Sequence, residues 1–333
     1  MKSPLLIGFT YDIKEDYHFH SQDWRHSDFS TLAEVASVKT LFEELGHQVF
    51  LIGNYEKLYH MLSNGKLPPV DTVFNIAEGI NSRNREAWIP SLLEINHIPY
   101  SGSDAYGLSL TLNKLHMKIM AEHLGIRTAP YRIIASVEEA KAVEKTFPGP
   151  WVLKPNYEGS SSGVKLVVTE DDLCRYCSQL LQEYRQTILC EKYIEGREFN
   201  VALLNDGEET EVIGTVEVVR KDGSPIRIFN VKDKFTDTCT KVPADLPPKA
   251  KRTMESAALR LHKFTGCLDY NRGDFRMDAN GEIYFLELNP LPSIDEESGF
   301  AKCCYYNGRN LGHVLESILY RSIQRFDGQS IQV

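Results

Sequence analysis

A short stretch near the C-terminal end constrains this chain more than any other. Residues 266–298 read GCLDYNRGDFRMDANGEIYFLELNPLPSIDEES. Two runs in it, Leu268 to Met277 and Glu282 to Leu288, alternate apolar and other residues, with Asp278-Ala-Asn-Gly281 between them. Asn-Gly supplies the positive φ angles of a tight turn, so the two runs are expected to pair antiparallel. Asp274 falls on the first strand, and Glu287 and Asn289 fall two residues apart near the end of the second. Side chains at i and i+2 share a strand face. Two carboxylates and an amide oxygen on one side of a hairpin form an all-oxygen set. That set suits Mg2+, a hard cation that shares its coordination with waters and substrate phosphates. Arg272, just before Asp274, can face a developing anion. An ordinary exposed hairpin with surface acids carries the same short pattern, so this stretch alone leaves both readings open.

The 333 residues give a soft prior of two or three domains. Apolar content of 42% and charged content of 25% are those of a globular protein. Net charge is −9 without a strongly basic stretch, which argues against nucleic acid or an anionic membrane as the main partner. A nucleotide would then need local cations, so individual Lys and Arg residues matter. No apolar run approaches the roughly 20 residues of a membrane span. The N-terminal MKSPLLIGFTYD reads as a first strand and not as a signal peptide, and the expected location is the cytoplasm. Seven cysteines in a chain of this length fit reduced thiols. Cys174-Arg-Tyr-Cys177 is a lone pair in a helix-like segment, without the second pair of a zinc site, and reads as structural.

Along the chain, Leu5–Thr10, Gln48–Ile52 and Thr72–Ile76 read as strands, and Leu32–Leu45, Asn54–Ser63 and Trp88–Ile95 as helices. That alternation predicts a parallel sheet covered by helices. Asp12–Asp28, with His18, His20 and His26, reads as a mobile loop over a cleft, since its His spacing is not that of a helical metal pair. Ala77–Glu86 is a polar loop at the carboxyl end of a strand, where ligands of open α/β sheets gather. Ile98–Ser103 is expected to be a strand entering a turn, and Ala105–Leu124 one long helix bearing Lys114 and Lys118, for either of which a plain solvated charge is the commoner fate of a helix lysine. From about Thr128 strands and helices resume. The loop Pro155–Gly163 (PNYEGSSSG) is small and rich in amide N–H and hydroxyl groups, with Lys154 at its mouth. Such a loop can fold over polyphosphate; it is not a Walker A loop. Strands are expected at Thr187–Ile194, Asn200–Leu204 and Glu211–Val219, a mobile polar segment at Lys221–Pro243, and helices at Pro247–Thr265 and Leu311–Phe326.

Taken in order, these motifs resemble the ATP-grasp superfamily, and within it the D-alanine–D-alanine ligase family. They are Tyr100-Ser-Gly-Ser103 with Leu112-Asn-Lys114, Lys154-Pro-Asn-Tyr-Glu-Gly-Ser-Ser161, Glu191-Lys-Tyr-Ile-Glu-Gly-Arg-Glu198, Arg272-Gly-Asp274, and Glu287-Leu-Asn-Pro-Leu-Pro292. The resemblance implies an N-terminal parallel α/β domain (1–104) and two ATP-grasp subdomains of α+β character (105–195 and 196–333) with nucleotide between them. It implies that Lys114 and Lys154 hold ATP phosphates beneath the loop Gly159, Ser160 and Ser161. It gives Glu191, Lys192 and Ile194 to adenine, Glu198 to ribose, and Lys234 to a phosphate from the segment Lys221–Pro243. Asp274, Glu287 and Asn289 correspond to ligands of two Mg2+ ions, with Mn2+ as a substitute. Arg272 corresponds to the arginine that stabilises acyl phosphate and tetrahedral intermediate, and Ser160, Ser293 and Ser298 stand near substrate.

The implied reaction joins a carboxylate and an amine through an acyl phosphate, with small amino acids as substrates and a homodimer as the assembly. The departures lie at the substrate end. Glu78-Gly-Ile-Asn-Ser-Arg-Asn-Arg-Glu86 stands where the family has H-G-x-x-G-E-D-G. The acid that grips the first ammonium has only Asp28 and Glu34 as candidates. Phe235 stands where a tyrosine links the two lids, and Ser293 where the family has glycine. Three readings remain: joining of two D-alanines, the same chemistry on other partners, and ATP binding without catalysis.

Overall fold

The computed structural model describes residues 3–19, 26, 28–205, 209–224, 226–227 and 238–327. The segment Lys221–Pro243 is therefore described only in part, and Lys232, Lys234, Phe235 and His20 lie outside the described residues. Three sheets organise the chain. Strands β1 (Leu6–Thr10), β2 (Gln48–Gly53) and β3 (Thr72–Asn75) form a parallel sheet in the order β2-β1-β3. Its strands run nearly unbroken in apolar residues because helices cover them. Tyr100 adds one parallel bridge to Val73, so the expected strand at Ile98–Ser103 is reduced to a single bridge before Gly102 turns the chain away at φ +90°.

Strands β4 (Tyr131–Ile134), β5 (Trp151–Pro155), β6 (Lys165–Val167) and β7 (Ile188–Lys192) form an antiparallel sheet in the order β4-β7-β5-β6. Its inner face packs on the helices Val137–Thr146 and Glu170–Tyr184. Cys177 is part of that core and Cys174 packs against it. The third sheet is antiparallel in the order β10-β9-β8-β11-β12. It comprises β8 (Arg197–Asn205), β9 (Thr210–Arg220), β10 (Cys239–Pro243), β11 (Tyr270–Met277) and β12 (Ile283–Asn289). The end of the segment expected to be mobile is thus strand β10, paired to β9 from Cys239↔Arg220 to Pro243↔Val216. Its polar composition is that of an edge strand with one partner.

The helix expected over Ala105–Leu124 is two helices, Ala105–Leu112 and Lys114–His123. Asn113 leaves the helical region (φ −82°, ψ 98°), and its side chain accepts from His116 N (3.1 Å) to cap the second helix. Asn156 completes the break: its carbonyl takes Lys114 N (3.1 Å) and its Oδ1 takes Leu115 N (3.0 Å). A mid-helix Asn is only mildly unfavourable, so the break becomes visible only with its partner. A further helix, Gly299–Tyr306, follows the hairpin. No helix among the described residues is long and apolar enough to cross a membrane.

Candidate active site

An open cleft lies between the β4–β7 sheet and the β8–β12 sheet. Val152 and Val164 on one side and Ala129 and Leu286 on the other give it apolar walls. Its polar lining includes Lys114, Lys154, Ser161, Glu191, Lys192, Glu198, Asp274 and Glu287, with Ile194 beside them, from four separate segments of the sequence. Gly159 and Ser160 sit one step back in the loop above, where Ser160 and Ser161 adopt positive φ (47° and 60°).

The hairpin forms as its turn requires. Asp278 Oδ1 accepts from Asn280 N and Glu282 N (both 2.9 Å), and Gly281 has φ +79°. Asp274 stands opposite Glu287, and Arg272 opposite Asn289. Asp274 is surrounded by donors. Arg272 reaches it with Nε (2.7 Å) and Nη2 (2.8 Å), Asn200 Nδ2 at 2.7 Å, and Asn289 Nδ2 at 3.0 Å. Burial still raises its carboxyl above the usual range, against the pull of Arg272. Lys114 Nζ donates to Glu287 Oε2 (2.7 Å). Burial alone would raise Glu287, but Lys114 and Lys154 outweigh it and draw the carboxyl down to about 2. The donors are two carboxylates and one amide, all oxygen when Asn289 turns its carbonyl inward, and Lys114 and Lys154 hold Glu287 ionised. These residues fit a hard divalent cation.

At the other end of the cleft, Lys154 Nζ is 2.6 Å from Glu191 Oε2. Glu198 lies 3.4 Å from Arg276 Nη2, and burial raises its carboxyl. Arg276 escaped the sequence reading. It is buried, lines the cleft, and donates from Nη1 to Ile194 O (2.8 Å) and from Nη2 to Arg227 O (2.6 Å), tying the segment 192–194 to β11. Its position four residues after Arg272, on the same strand face, was the available signal.

Lys118, expected in solvent, is fully buried. It pairs with Glu191 Oε1 and donates to Thr128 Oγ1 (2.5 Å). A buried lysine is tolerated because a carboxylate meets it; hydropathy along the helix does not reveal that partner.

The loop Glu78–Glu86 brings acids around one cation. Arg85 Nη2 lies 3.1 Å from Asp28 and 3.9 Å from both Glu78 and Glu86, and Arg85 Nη1 donates to Tyr157 O (2.6 Å). Burial, with the charges of Glu86 and Asp28, raises Glu78, and burial with Asp28 pushes Glu86 up to about 7. Asp28 Oδ1 is buried without a hydrogen-bond partner among the described residues. Asp12, also buried, holds the loop by accepting from Glu78 N (2.8 Å) and Gly79 N (2.7 Å). Glu34 is elsewhere: its Oε2 accepts from Thr31 N (2.6 Å) in a capping box. His26 stacks on Phe19 at 4.0 Å. Ser298 caps the helix Gly299–Tyr306 by accepting from Ala301 N (3.1 Å), and the next residue, Gly299, lies against Asn200 and Arg272. Ser293 is exposed, donates to Asp295 and does not line the cleft.

Residues 120–320 match the family described as D-ala D-ala ligase C-terminus, well over half of the chain. A D-alanine--D-alanine ligase of Geotalea uraniireducens is 31% identical over 233 residues, covering 69% of this chain and 72% of that protein. The uncharacterized protein y4sG of Sinorhizobium fredii is 29% identical over 306 residues, covering 89% of each. Among solved structures, a D-alanine--D-alanine ligase from Bacillus anthracis complexed with ATP superposes with a TM-score of 0.73 at 18% identity, covering 97% of this chain and 99% of that one. On matched length and shared architecture, this chain belongs to the D-alanine–D-alanine ligase family of ATP-grasp enzymes.

Proposed function

We propose that this protein is an ATP-dependent carboxylate–amine ligase that activates an amino acid as its acyl phosphate and joins it to a second amino acid. The observation that carries the reading is the convergence of Lys114 and Lys154 with Asp274 and Glu287 in one cleft beneath the Gly/Ser loop. The Bacillus anthracis ligase of the same fold is complexed with ATP.

Polyphosphate entering the cleft meets Lys114 and Lys154, which neutralise its charge. The apolar walls beside Glu191–Ile194 suit a purine, and Glu198 suits the ribose hydroxyls. The substrate carboxylate attacks the γ-phosphorus, the bond to the β,γ-bridging oxygen breaks, and ADP leaves. The amine then attacks the acyl carbon, and phosphate departs with the C–O bond electrons while the amine gives up a proton. Arg272, half-buried, is held against Asp274 and stands where a guanidinium can face the oxyanion. Asp274, Glu287 and Asn289 would hold two Mg2+ ions, which when bound supply charge neutralisation during phosphoryl transfer. Gly159–Ser161 exclude water from the acyl phosphate. Ser298, at the mouth of the helix whose first residue lies against Arg272, is the substrate-side hydroxyl; Ser293 has no such role in this reading.

The acids around Arg85 form the seat for the substrate ammonium, with Asp28 nearest the Gly/Ser loop. A Cβ at Gly159 would lie 3.6 Å from Asp28 Oδ2 and 3.7 Å from Arg85. This arrangement differs from the family loop, which favours an amino-acid pair other than two D-alanines as the alternative reading. The resemblance also implies a cytoplasmic homodimer; all seven cysteines are free, as a reducing compartment requires.

Phosphate release from Mg2+-ATP against single amino acids and pairs, of both hands, tests the proposal. Turnover with D-alanine alone and dipeptide as product supports the family reaction. Turnover only with other amino acids assigns a different specificity. No turnover with any amino acid removes the ligase reading.

A further inference from the structure

The buried lysine Lys118 has no part in the reaction described above, and its surroundings ask for one. It does not line the cleft, whereas Lys114 and Lys154 do. Its ammonium meets three groups: Glu191 Oε1, Thr128 Oγ1 at 2.5 Å, and the face of Tyr131, 5.7 Å from the ring centre. Thr128 Oγ1 in turn donates to Phe285 O (3.0 Å), one residue before Leu286 of the cleft wall. One side chain thereby ties the helix Lys114–His123, strand β7 and strand β12.

Glu191 is shared. Its Oε1 faces Lys118 and its Oε2 faces Lys154, at 2.6 Å. Two cations and one anion leave one positive charge over, and the cation free to move is the one at the cleft. Lys154 can turn from Glu191 to a polyphosphate without stranding a buried carboxylate, because Lys118 remains. With Lys118 absent, Lys154 would be the sole counter-ion of Glu191. Drawing it to phosphate would then leave a buried, unpaired charge, which is strongly unfavourable.

Resting on the nucleotide reading of the cleft, we propose that Lys118 is a positioning residue: it is the permanent counter-ion of Glu191 and frees Lys154 for the phosphates of the nucleotide. The effect is specific to phosphate and leaves the nucleoside end alone.

The test is binding of the Mg2+ complex of the β,γ-imido analogue of ATP and of adenosine, by calorimetry, to the whole protein. The natural protein should bind the analogue far more tightly than adenosine. Failure to bind the analogue overturns the nucleotide reading itself, and the Lys118 assignment with it. Lys118→Met should weaken the analogue by about 10- to 100-fold and adenosine by less than about twofold. An equal loss for both ligands would mean that Lys118 only holds the pocket together, and would overturn the proposal. The second comparison is made in Glu191→Gln, where no carboxylate remains to be satisfied. There, adding Lys118→Met should change analogue binding by less than about twofold. A full loss in that background overturns the proposal. The double variant strands no charge, and Lys118 in Glu191→Gln can relieve its own burial by losing its proton, so this comparison stands even if Lys118→Met alone does not fold.

Discussion

At the scale of single residues, charge placement decides most of what the site can do. Glu287 is held ionised by Lys114 and Lys154 and faces Asp274 across the hairpin. Glu287→Gln keeps size and backbone while removing the charge. It should leave the thermal midpoint within a few degrees and lower phosphate release by at least about 100-fold, on the order of a lost charge-stabilising contact. Undiminished turnover would remove Glu287 from the metal set. Glu86 has the opposite character. A free glutamate titrates near 4.5, but burial and the charge of Asp28 push Glu86 up to about 7. The folded state therefore binds this proton more tightly than the unfolded chain does. The stability it contributes is complete below pH ~4.5 and is lost as pH rises through about 7. Thermal midpoints should fall across pH 5–8, and Glu86→Gln should flatten that fall, by on the order of 2 kcal/mol at the alkaline end. Parallel curves for the two proteins would show that Glu86 does not carry the effect. A cationic amino acid bound at Arg85's acids should oppose the same fall.

At the scale of elements, backbone geometry aims the side chains. The break at Asn113 starts a new helix at Lys114, pointing that lysine at Glu287 and its helix N-terminus at Asn156, within the loop Pro155–Gly163. Gly196 connects β7, which belongs to one sheet, with β8, which belongs to the other. Its φ is +154°, and a Cβ there would stand 2.0 Å from Met277 O. Side chains rarely adopt that conformation, and a backbone carbonyl cannot step aside cheaply. Gly196→Ala should cost about 3 kcal/mol in urea unfolding and raise the KM for ATP, since it displaces Glu198 and the segment 192–194 together. A variant of natural stability and natural KM would show that the connection is loose.

At the scale of the whole molecule, the last helix closes the first domain. In Leu311–Asp327, Val314, Leu315, Ile318 and Leu319 lie in one core with Ile7, Phe9, Phe42 and Phe74 of the N-terminal unit. Ser322 Oγ bonds Thr72 Oγ1 at 2.6 Å, and Arg325 reaches both Asp269 and Tyr100 O. Ile318→Ala, at a fully buried position, should cost about 2–5 kcal/mol. Loosening of the N-terminal sheet should accompany it in hydrogen exchange at β1 and β3; loss confined to the last helix would contradict the shared core. The sequence by itself determined the alternating strands and helices of the first hundred residues and the Asn-Gly hairpin with Asp274, Glu287 and Asn289. It also determined the order of motifs that marks the family, because periodicity, turn chemistry and short motifs are local properties. Only the tertiary structure decided the fate of Lys118, the break at Asn113, the pairing of β10, the hold of Arg276 on the segment 192–194, and the gathering of Asp28, Glu78 and Glu86 around Arg85. Each of these depends on a partner distant in the chain, and no local pattern records which distant side chain will neutralise a buried charge or complete a backbone hydrogen bond.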